Sequence, residues 1–134
     1  MDNQPERQRQ QAADRILVVG EAAEEVVRAL EALCFDVELV PSGLHAQRIL
    51  ERDSDVAIVI AEEELPGIDG IGFLMLTRSR WPRVRRVLLT PSLRGALIME
   101  AKMSADARAL GRPVTRERLS DVVEQELRAY ARGA

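Results

Sequence analysis

The chain has 134 residues, 46% of them hydrophobic and 31% charged, enough to bury the core of one globular domain. Nineteen Lys and Arg against 22 Asp and Glu leave a net charge of -3, which argues against a general nucleic-acid binder. A single cysteine, Cys34, excludes a disulfide framework and any multi-cysteine metal site, and no apolar run approaches a membrane span.

Residues 1–14 are polar and rich in Gln and Arg, so they read as a disordered tail with no signal-peptide centre. The expected location is cytoplasmic, and 15–132 is the expected folded domain. Ile16-Leu-Val-Val19 makes a first strand, ending at Gly20-Glu21. Ala23, Val26, Val27, Leu30, Leu33 and Cys34 recur at helical spacing, with Cys34 expected as a small buried residue. Val37 to Val40 is a second strand, and Pro41-Ser42-Gly43 opens a helix carrying Ala46, Ile49 and Leu50.

Val56 to Ala61 is an unbroken run of Val, Ile and Ala, as suits a strand covered on both faces. After it come three glutamates, Glu62 to Glu64, then Pro66-Gly67 and an Asp69-Gly70 turn that opens a helix to Arg80. Trp81-Pro82 stops that helix, because the residue before proline avoids the helical region. Val84 to Thr90 reads as a strand, 92–103 as a helix and 107–110 as a short strand. Thr115 caps a last helix with Leu119, Val122, Val123, Leu127 and Tyr130 on one side. Five strands alternating with five helices predict a doubly wound five-stranded parallel α/β sheet. Acidic groups ending its third strand then stand where such sheets bind ligands.

Four stretches in this order, together with one interval between them, resemble the receiver domain of bacterial two-component response regulators, over 15–132. They are Ile16-Leu-Val-Val-Gly-Glu21, Ile60 to Gly70, Val87-Leu-Leu-Thr90, Gly111-Arg-Pro113 and the interval from Thr90 to Arg112. The resemblance implies a CheY-like, flavodoxin-like fold and a place for each part of a phosphorylation site. In that family an aspartate accepts a phosphoryl group beside Mg²⁺, an acidic pair holds the metal, and a Thr or Ser and a Lys bind the phosphoryl oxygens. Here the acceptor position is Glu62, the acidic pair is Gly20 and Glu21, and the Lys is Arg112. Thr90 keeps the family type, and the aromatic position is Ala109.

These departures predict a pseudo-receiver with no phosphotransfer activity. Mg²⁺ demands octahedral ligands at about 2.0–2.1 Å, and an added methylene at 21 and 62 shifts each carboxylate by roughly an ångström, which can cost about 10²-fold in rate. Arg is also no simple stand-in for Lys. Two readings of Glu62 stay open: a fixed phosphomimetic paired with Arg112, or a drifted surface carboxylate with Arg112 turned to solvent.

The leading function is therefore a stand-alone atypical receiver that signals by protein contact, not an enzyme, with no cofactor, metal, nucleic acid or membrane. The alternatives are a phosphotransfer-competent regulator with Glu62 as nucleophile, or a small-ligand binder using Glu21, Glu62, Thr90 and Arg112. The contact face implied by the family is the fourth helix, fifth strand and last helix, at Leu97, Ile98, Met99 and Ala109, facing a second copy or another signalling protein. Arg78, Arg80, Arg83, Arg85 and Arg86 read as a solvated basic edge, and His45 as a lone surface residue. Arg118-Leu-Ser-Asp121 matches a short cyclic-dinucleotide pattern, but four residues on a helix often do so by chance.

Overall fold

The computed structural model describes residues 14–133, so the expected tail lies outside the described residues except for Asp14. The strands are β1 (Arg15–Val19), β2 (Val37–Val40), β3 (Val56–Glu62), β4 (Arg85–Thr90) and β5 (Arg108–Gly111). They alternate with helices α1 (Glu24–Ala32), α2 (Gly43–Arg52), α3 (Gly70–Arg80), α4 (Gly95–Ala105) and α5 (Arg116–Ala131). All strand pairs are parallel in the order β2-β1-β3-β4-β5. That is the flavodoxin-like order, whose switch point falls between β1 and β3.

Every residue of β3 is buried, because helices cover both faces of the sheet. Alternation along the strands divides the core. Leu17, Val19, Val59, Ala61 and Leu88 pack with residues of α2, α3 and α4, including Ile49, Phe73, Leu74 and Ala101. Ile16, Val18, Ile58, Ile60, Val87 and Leu89 pack with Val26, Leu30, Leu119 and Val122 of α1 and α5. Ser42, Asp69 and Thr115 cap α2, α3 and α5 by accepting from backbone N–H groups three residues on.

Three expectations need correction. Cys34 is exposed, at φ +69, because α1 has ended at Ala32 and the left-handed turn carries the side chain off the apolar stripe. Helix α4 begins at Gly95 instead of Ser92, since the Ser92 amide is taken by Thr90 Oγ1 at 3.1 Å in a bend and the backbone is extended at Arg94. The basic edge is only partly solvated. Arg86 is buried and donates to the carbonyls of Ala105, Pro82 and Val84, locking the start of β4 to the end of α4. Arg85 of β4 and Arg108 of β5 both hold the buried Glu126 carboxylate of α5, at 2.8 and 2.9 Å. Arg80 and Arg83 lie over the rings of Trp81 and Tyr130.

Candidate functional site

Strand β3 delivers two consecutive glutamates to the carboxyl edge of the sheet, and they make different contacts. Glu62 ends the strand and is only 8% exposed. Its Oε2 accepts from Arg112 Nη2 at 2.8 Å, and the same nitrogen donates to the Ala22 carbonyl at 2.6 Å. Arg112 is itself set in place by its backbone N–H, which donates to the Thr90 carbonyl at 2.9 Å. One guanidinium thus ties the loops after β1 and β5 to the end of β3. Arg112 Nε is buried without a hydrogen bond, although Glu25 Oε2 lies 3.1 Å away and adds attraction.

Gly20 completes this arrangement. It sits at φ +142, and a Cβ there would run into the Glu62 carboxylate. The residue that lacks a side chain is therefore what lets the longer glutamate fold back over the end of β1.

Glu63 turns to the other side. Its Oε1 accepts from the buried Thr90 hydroxyl at 2.8 Å and its Oε2 from Arg94 at 2.9 Å. Arg94 also donates to the Ser92 carbonyl at 2.7 Å, so Glu63 fixes the loop between β4 and α4. The bond from Arg94, helped by that from Thr90, holds the Glu63 carboxyl below the usual range against the opposing effect of burial.

The structure therefore brings Glu62 and Arg112 together and excludes the drifted-surface alternative. Thr90 stands at the same edge, but its hydroxyl goes to Glu63. Glu21 does not join them: the chain turns at Gly20, Glu21 is exposed, and it is not among the residues lining the local cavity of about 140 Å³. Glu63 and Arg94 were missed by sequence reasoning, since three adjacent glutamates in a loop carry no signal of which faces Thr90. The residues present do not fit an octahedral Mg²⁺ site. Gly20 offers no ligand, Glu21 lies outside, and the Glu62 carboxylate is already neutralised by a guanidinium.

The expected contact face also changes. Leu97 is 3% exposed and packs inward with Ala101 and Ala105, one and two turns on, so it belongs to the core. Ile98 and Met99 are exposed, joined by Leu93 and Met103, which sequence reasoning did not include. Ala109 is half-buried and lines a groove between α4 and α5. Arg118 borders that groove, whereas Asp121 borders a separate shallow cavity with Leu33, so the two do not converge on one ligand. His45 is exposed with Nδ1 2.7 Å from the Ser42 hydroxyl, a local helix-start contact.

No protein-family model matches the sequence, and no curated protein matches it. Solved structures do. The receiver domain of an HD domain-containing protein from Pseudomonas fluorescens Pf-5 is 24% identical with a TM-score of 0.80, over 89% of this chain and 98% of that one. A CheY-like receiver domain protein from Methanospirillum hungatei JF-1 gives 18% and 0.78, over 90% and 98%. A receiver domain protein from Clostridium thermocellum gives 24% and 0.73, over 86% and 94%. At these identities the likeness shows the fold, which is that of response-regulator receiver domains. Among the described residues no helix is long and apolar enough to cross a membrane.

Proposed function

We propose that this chain is an atypical receiver-type module of bacterial signal transduction that acts in the cytoplasm by protein–protein contact, without aspartate phosphorylation and without enzymatic activity. One observation carries the reading. Two carboxylates divide between them the contacts that the resemblance assigns to a phosphoryl group: Glu62 takes Arg112 and Glu63 takes Thr90. The charge is built in, and both flanking loops are already held. Glu62 is thereby a fixed phosphomimetic, assisted by its neighbour.

The alternatives fit less well. A nucleophilic Glu62 would have to leave a charge-assisted bond at 2.8 Å and attack without a metal site beside it. A small-ligand site is disfavoured by the cavity of about 140 Å³, against about 300–1,000 Å³ for ordinary ligand pockets. The test is incubation with acetyl phosphate and Mg²⁺ followed by intact mass measurement. The expected mass is unchanged; a phosphoryl adduct on Glu62 overturns the proposal.

A further inference from the structure

The groove over β5 has a chemistry that names its occupant. It encloses about 450 Å³ between α4 and α5. Its floor includes Ala107 and Ala109, two methyl side chains that fill little of the space, and Leu93 and Ile98 form an apolar wall. Both wall residues are large and exposed, at 49% and 44%, so the wall is uncovered. An opening of this kind accepts a bulky apolar side chain.

The charge around it runs against the charge of the whole chain. Five cationic side chains, Arg85, Arg86, Lys102, Arg108 and Arg118, border the groove with only two carboxylates, Asp106 and Glu126. The chain as a whole carries -3. Those two carboxylates are already engaged, Glu126 by Arg85 and Arg108 and Asp106 by Lys102 and Arg86. Arg118, exposed on the first turn of α5, makes no side-chain hydrogen bond or ion pair among the described residues. The surplus at the rim is positive.

We infer that this groove receives an acidic segment of a partner protein, which seats one bulky apolar side chain above Ala109 and places carboxylates against Arg118 and Lys102. The inference rests on the contact-module reading and names the chemistry of the partner. A nucleic acid fits worse, because the apolar wall of Leu93 and Ile98 offers phosphates nothing. Complementary charge of this kind speeds encounter and selects the partner, while the apolar anchor supplies most of the affinity.

The test uses two fluorescein-labelled amphipathic helical peptides with identical leucine spacing, one with Glu and one with Lys at the polar positions. Each is titrated with the full chain by fluorescence anisotropy. The Glu peptide should bind at least ten-fold more tightly than the Lys peptide. The double variant K102E/R118E should weaken Glu-peptide binding at least ten-fold, and Ala109→Trp should also weaken it by filling the seat. Circular dichroism and melting curves check that both variants remain folded. Equal binding of the two peptides, no binding of either, indifference to the variants, or equal competition by a short DNA duplex would each overturn the inference. Failure here leaves the contact-module reading standing, since that reading falls only to a phosphoryl adduct on Glu62 in the separate mass measurement.

Discussion

The carboxylate of Glu62 occupies the space that a side chain at Gly20 would need. The two positions are therefore one solution to one packing problem: a glutamate at the end of β3 requires a glycine at the end of β1. Gly20→Ala should destabilise the domain by about 2–3 kcal/mol, from the φ +142 backbone and the collision together. In a Glu62→Ala background the same change should cost distinctly less. Urea unfolding of the four proteins gives the coupling; additive losses would mean that the collision is relieved elsewhere.

Arg112→Ala should cost about 3 kcal/mol, because it leaves Glu62 as a nearly buried carboxylate with no cation and frees the Ala22 carbonyl. Glu62→Gln should be gentler, since the amide keeps the shape and can still accept from the guanidinium. Equal small effects in chemical denaturation would count against a dry, structural pair.

Glu63 should make a pH-dependent contribution whose sign follows from its contacts. Its folded pKa is depressed, first by Arg94, so its stabilisation is complete above the ordinary carboxylate range and is lost as pH falls through the depressed value. Glu63→Gln should remove that contribution at neutral pH. The stability gap between wild type and variant should close on acidification, as read from urea midpoints between neutrality and strong acid. A gap independent of pH would show that Arg94 and Thr90 do not hold the ionised form.

Neighbouring residues on α4 should behave oppositely. Leu97→Glu places an unpaired carboxylate at a 3% exposed position and should cost about 3 kcal/mol or more. Ile98→Glu, at a 44% exposed position, should change stability by at most about 0.5 kcal/mol. It should nonetheless weaken association with a partner. Melting temperatures and a binding titration on both variants separate the core role from the contact role.

The sequence carried the architecture well where local chemistry was specific. β2 and α3 lie where Val37–Val40 and 70–80 place them, because Ser42, Asp69 and the Trp81-Pro82 stop are strong local signals. It was poorer where several residues of one kind stand together. Ala96-Leu-Ile-Met99 is apolar all round, so no stripe tells which side faces the sheet, and the burial of Leu97 shows only in the fold. Glu62 to Glu64 is a uniform acidic run, and only the strand end at Glu62 determines which carboxylate meets Arg112 and which meets Thr90. Arg86 is buried against composition, because the carbonyls of Pro82 and Val84 just before it are joined by that of Ala105, from a segment that the sequence does not show to be adjacent.

The two glutamates have a consequence for how the domain comes apart. Loops at the ligand edge of an α/β sheet are ordinarily the first segments to open, being short of buried contacts. Here the loops after β1, β4 and β5 are tied to the end of β3 through Arg112, Arg94 and Thr90. None of these ties reaches β2. β2 is an edge strand with three of its four residues only half-buried, following the exposed turn at Cys34. Amide hydrogens of β2 should exchange before those of the tied loops, so the segments that normally move first open after an edge strand.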